Sequence, residues 1–244
     1  MQTSRNSSDA FGMPASREAA SAKVARLDAW LPPMLSVVAG MVDLTGFFTL
    51  GNVFTAHVTG NLVVATATLL GGEPLRLAEV LAIPVFMLAV AAVWVIAKAS
   101  GRQSAGLVRL LLLVQSILLA TVLMIGVIAR PSTQPHGPMA GVAAMIAVAA
   151  MACQFALLRV AMPGAISTAV MTGNLTNFVL LSMDSLFGKQ SGSVDEQSRV
   201  LRTVLLLAGF LCGCGIAALS VRMLADWAWV GPVVLAAVLT LLVV

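Results

Sequence analysis

The sequence predicts an all-α, polytopic membrane protein built from two copies of one unit. Three observations predict it. Hydrophobic residues make up 59% of the 244 positions and charged residues only 10%, with a mean hydropathy of +1.00, whereas about a quarter of an ordinary soluble domain is charged. The apolar residues gather into eight runs. Finally, FTAHVTGNL at 54–62 returns as STAVMTGNL at 167–175, 113 positions further on.

Residues 1–28 are rich in Ser and Ala, mixed in charge and without a long apolar run, so they lack the core of a secretory signal and are expected to form a disordered tail. Arg5, Arg17, Lys23 and Arg26 precede the first apolar run, which places that tail in the cytoplasm by the positive-inside rule. Residues 29–244 then form a single transmembrane domain. Its apolar runs cover about 30–50, 55–71, 77–99, 107–129, 139–160, 165–187, 201–223 and 228–244. Each is expected to be helical, because an open strand leaves its backbone unsatisfied in lipid. Trp30, Trp227 and Trp229 stand at run ends, as an interfacial aromatic belt requires. Cys153, Cys212 and Cys214 fall inside runs and are expected to be buried thiols rather than a disulfide framework.

Shifting the chain by 113 residues aligns Gly51, Thr55, Ala56, Thr59, Gly60, Asn61 and Leu62 with Gly164, Thr168, Ala169, Thr172, Gly173, Asn174 and Leu175. The runs correspond as well, which defines one repeat over 30–130 and a second over 139–244. If all eight runs cross the membrane, the copies are parallel. If the two runs carrying TGNL are broken or re-entrant, six cross and the copies are inverted. The inverted arrangement puts eleven of the fourteen Lys and Arg inside, the parallel one nine, so charge favours inversion.

Within a membrane, glycine relaxes the backbone and asparagine competes for its hydrogen bonds, so Thr-Gly-Asn is a place for a helix to open. Opened backbone is tolerated at depth only where it is buried in protein or lines a wet cavity. Paired interruptions in two repeats point to a transporter's binding site, one shared site to which each TGNL segment supplies a wall. This makes Thr55, Thr59, Gly60, Asn61, Thr168, Thr172, Gly173 and Asn174 candidate ligand-binding residues. The competing explanation is close helix packing on Gly60 and Gly173, with the threonines bonding across the interface.

Asp43 lies well inside the first run, where a carboxylate is costly unless it is paired, protonated or wet. It is a candidate proton or cation site, or else a hydrogen-bonded structural acid. His57, inside the first motif, is a candidate relay to it or a histidine at a helix start. Gln154, in the fifth run, is a pore-lining group or an interhelical hydrogen bond. Asp184 is expected at the interface.

Signatures of metalloproteases, nucleophile elbows, Walker loops and dinucleotide folds are missing from the sequence, so neither an enzyme nor a cofactor is implied. Two histidines, His57 and His136, cannot assemble a multi-histidine metal site. The basic excess reads as topology rather than nucleic-acid binding. The expected partners are membrane lipid and a small solute, with homo-oligomerisation left open. The residues AGMVDLTGFFTLGNVFTAHVTGNLVV (39–64) and MTGNLTNF (171–178) resemble the YoaK-like family of uncharacterised bacterial inner-membrane proteins. The resemblance implies about six spans and the inner membrane as location. It carries Gly40, Asp43, Gly46, Phe54, Thr59, Gly60 and Asn61 over as motif positions without roles. The reading reached from the sequence is a secondary transporter or channel, proton-coupled through Asp43. A structural or regulatory membrane protein without a solute path is the alternative, and a membrane-embedded enzyme a more distant one.

Overall fold

The computed structural model describes residues 15–100, 105–168, 170–187 and 194–243. Eight α-helices among the described residues follow the predicted runs: α1 (Ala15–Thr49), α2 (Gly60–Leu70), α3 (Leu77–Ser100), α4 (Ala105–Ala129), α5 (Pro138–Val160), α6 (Met171–Phe187), α7 (Val194–Leu224) and α8 (Val230–Leu242). Short 3-10 turns precede α5 and α8. No strand occurs among the described residues. Among the described residues, five helical stretches are long and apolar enough to cross a membrane: Ala29–Thr49, Leu77–Ser100, Ala105–Ala129, Pro138–Val160 and Gln197–Leu242. The last of these holds both α7 and α8. By contrast α2, with 11 residues, is about 16 Å long, roughly half of a hydrocarbon core.

Three expectations are corrected. Helix α1 starts at Ala15, so residues 15–28, expected as tail, continue the first helix towards the chain start; residues 1–14 lie outside the described residues. Trp229 is no interfacial belt residue: it is fully buried and its Nε1 donates to Thr49 Oγ1 at 3.2 Å, because the 3-10 turn folds it against the end of α1. Of the cysteines, only Cys153 is buried, while Cys212 is exposed on α7.

The helices pack so that each copy completes the other. Helix α1 lies along α7, and its repeat mate α5 lies along α3. In the α1 and α5 spans 72% of residues are buried, against 17% in α3, so this mated pair forms the centre and the outer helices present Leu, Ile and Val to lipid. The α1 and α7 backbones nearly touch. A Cβ on Gly213 would strike the Val37 carbonyl, one on Gly40 the Phe210 carbonyl, and one on Gly209 would sit 2.7 Å from the Pro33 carbonyl. Small residues are what permit such approach where lipid offers no hydrophobic drive between helices. Ser36 Oγ adds a bond to the Leu206 carbonyl at 2.6 Å.

The copies are inverted. At one end of the bundle, Gly51, which has φ +79°, lies against the Pro135 carbonyl and His136, just before α5 begins. At the other end, Gln154 near the finish of α5 donates to the Leu35 carbonyl at 2.9 Å. Helices α1 and α5 therefore run antiparallel. Their counterparts α4 and α8 do the same: Ser116 Oγ meets Thr240 Oγ1 at 3.0 Å, and Gly126 lies beside Trp229. Two closely similar stretches of sequence thus point in opposite directions.

Candidate functional site: two unwound segments entering from opposite ends

The second and sixth runs are not helical throughout. Residues 50–59 and the described part of 161–170 form unwound stretches after α1 and α5, and helix resumes at Gly60 and at Met171. Thr-Gly-Asn therefore belongs to the restart of a helix, not to an opening within one. The asparagine reaches seven residues back and closes the preceding stretch. Asn61 Oδ1 accepts from Phe54 N and its Nδ2 donates to the Phe54 carbonyl, both at 2.8 Å. In the second copy, Asn174 Nδ2 donates to the carbonyl of Ser167, the residue equivalent to Phe54, also at 2.8 Å. A buried carbonyl or amide left unpaired costs about 1–3 kcal/mol, a cost that Ala or Ser at this position would incur.

A polar side chain from the preceding helix holds each stretch from the other side. Asp43, 5% exposed, accepts at Oδ1 from the Thr55 and Ala56 amides at 2.8 Å each, with Thr55 Oγ1 at 3.4 Å. Its Oδ2 lies 2.6 Å from His57 Nδ1. Among the described residues it is thus a paired acid, as a carboxylate in an apolar bundle must be. The His57 side chain is 37% exposed and its ring meets Phe210 edge-on, 5.3 Å between centroids. In the second copy Ala156 stands where Asp43 does, and Gln154, one half-turn earlier, takes over. Its Nε2 donates to Thr168 Oγ1 at 3.3 Å as well as to Leu35, while its Oε1 accepts from Gln115 Nε2 at 2.7 Å. Thr55 and Thr168 therefore play one role with different partners.

Because α1 and α5 are antiparallel, the two stretches enter from opposite ends. Gln154 holds the second at the level of Leu35, and Asp43 holds the first eight residues along α1, about 12 Å away. Of the predicted residues, Asp43, Thr55, His57 and Asn61 gather around the first stretch, and Gln154, Thr168 and Asn174 around the second, so the expectation of one site walled by both TGNL segments is corrected: antiparallel packing carries them to opposite ends. Thr59 and Thr172 are exposed, Gly60 packs under the Phe54 ring and Gly173 beside Val170.

The two ends differ in openness. Beside the second stretch, between it, α6 and α7, lies an open cavity of about 480 Å³ whose lining includes Ile166, Asn174, Asn177, Arg199, Arg202 and Thr203. Asn177, Arg199 and Arg202 were not among the predicted site residues. The signal was present in their spacing: Asn174 and Asn177 are three apart on α6, Arg199 and Arg202 three apart on α7, so each pair shares a helix face. Read singly, the arginines looked like topology signals. Groups of three or more His, Cys, Asp or Glu able to hold a metal do not occur among the described residues.

Inverted copies, a mated pair of central helices and two interrupted segments define an all-helical, multi-pass membrane protein. The chain belongs to the family described as "Protein of unknown function (DUF1275)", whose model matches residues 31–242, in accord with the YoaK-like resemblance of its first motif. No curated protein and no solved structure matches the chain.

Proposed function

We propose that the protein is a secondary transporter for a small solute, with six crossings formed by α1, α3, α4, α5, α7 and α8 and with α2 and α6 as the ends of re-entrant segments. The observation that carries this reading is the asymmetry of the two copies. The same motif is sealed by Asp43 and Asn61 at one end and opens on a cavity at the other. Alternating access in inverted repeats works by exchanging such conformations between the halves. By the charge distribution the N-terminus is cytoplasmic and the open cavity faces the cytoplasm; the YoaK-like resemblance favours the bacterial inner membrane as the location. The Asp43 and His57 pair, at the sealed end, is the place for proton coupling. Lipid and the solute are the partners this reading requires; self-association is compatible with it, and no catalytic step is part of it.

The test is uptake by proteoliposomes offered a small-metabolite extract, with retained solutes identified by mass spectrometry against protein-free liposomes. The expected result is enrichment of at least one solute, lost in Asn174→Ala. Under an imposed pH gradient, Asp43→Asn is expected to keep exchange and lose accumulation. A second reading, a structural membrane partner with no solute path, is favoured by the first stretch, where both functions of the Asn61 side chain are engaged by the backbone. Absence of any enriched solute in a folded preparation decides for it.

A further inference from the structure

We infer that the cavity beside the second motif binds an oxyanion, a carboxylate or phosphate group, through Arg199 and Arg202; this rests on the transporter reading and names the charged group of its solute. Both arginines line the cavity, and among the described residues neither forms an ion pair. A guanidinium is charged at every physiological pH and offers a planar fork of donors matched to a carboxylate or phosphate. Two of them one turn apart, at the edge of an apolar bundle, make a cationic focus that an anion neutralises. Asp184, the acid of α6, is not part of the lining.

The other walls fit the same ligand. Asn177 adds an exposed amide one turn from Asn174. Thr203 is not available as a donor, because its hydroxyl bonds to the Arg199 carbonyl at 2.9 Å. Ile166, Leu180 and Leu181 supply an apolar wall for the carbon part of an organic anion, and the volume lies in the range of about 300–1,000 Å³ typical of small-molecule sites. The first copy has no such site: Val64, Phe86 and Ala89 occupy the positions of Asn177, Arg199 and Arg202. The anion site is single although the fold is double.

The test uses the full chain in nanodiscs of phosphatidylcholine, titrated calorimetrically with inorganic phosphate and with succinate. Binding of either is expected, weakened roughly tenfold or more in Arg199→Gln/Arg202→Gln and unchanged in Arg222→Gln, at the far end of α7. If neither soluble anion binds, but phosphatidylglycerol co-purifies with the wild type and not with the double variant, the oxyanion is a lipid headgroup and the site stands. If the double variant matches the wild type for soluble anions and for lipid, the arginines only orient α7 and the inference falls. Anion binding without uptake would remove the transporter and leave the site; uptake of an uncharged solute without anion binding would do the reverse.

Discussion

A carboxylate that accepts from the Thr55 and Ala56 amides at 2.8 Å, more distantly from the His57 amide and the Thr55 hydroxyl, and sits against an imidazole leaves several groups stranded when it is removed. Asp43→Ala should therefore lower the stability of the detergent-solubilised protein by about 2–4 kcal/mol, read as a fall in the thermal midpoint, whereas Asp43→Asn keeps an acceptor oxygen and should lose about half as much. A midpoint unchanged in both would mean that the loop amides find other partners. The asparagines allow a comparison within one molecule. Asn61 joins both backbone groups of Phe54, while the single bond from Asn174 reaches Ser167 beside an open cavity. Asn61→Ala should accordingly destabilise by about 1–3 kcal/mol and Asn174→Ala by less. The reverse order would contradict the sealed and open assignment of the two ends.

Among the elements, α1 and α7 have the least room. Gly213→Ala places a methyl group on the Val37 carbonyl, and no flexible side chain is there to give way. The helices must separate, at a cost of about 1–3 kcal/mol. Gly215, two residues on, has nothing within 4 Å of a Cβ, so Gly215→Ala should leave the midpoint where it is or raise it slightly. Equal effects at the two glycines would show that the α1 and α7 approach is not tight in the membrane. The shortness of α2 has its own consequence. A helix of about 16 Å cannot carry the chain across the bilayer, so the connections on either side of it should be on one face.

For the whole molecule, inversion is tested by labelling intact cells that carry single cysteines on a background without the native three. Glu73→Cys and Thr133→Cys should react with a membrane-impermeant maleimide from outside, and Arg159→Cys should not. Labelling of Arg159→Cys alone would establish parallel copies and eight crossings. The proposed six-crossing arrangement rests on the antiparallel course of α1 and α5, which joins Gly51 to His136 at one end and Leu35 to Gln154 at the other. Alternating access in turn requires that the sealed and open conformations be exchangeable between copies, and what the copies share for that purpose is the Thr-Gly-Asn-Leu motif with the threonine four residues before it.

Much of this was legible from the chain alone. The helices could be read because lipid forces every apolar run to satisfy its own backbone, and the repeat because identity at a fixed offset does not depend on packing. Asp43 and His57 were recognisable as candidates from cost alone, a charge and a titratable ring among apolar residues. Their partnership with the Thr55 and Ala56 amides was not, since it needs the chain to unwind before Gly60 and double back. Nor could alignment pair Thr168 with Gln154, which stands two positions from the counterpart of Asp43. The burial of Trp229 depends on a turn that brings it to Thr49, 180 residues away in sequence. The arginines show the same division most plainly. The sequence determines that two arginines lie one turn apart near the start of α7; only the packing of α6 and the unwound stretch around them decides that they face a cavity, because a cavity is made by several elements and belongs to no single stretch of sequence.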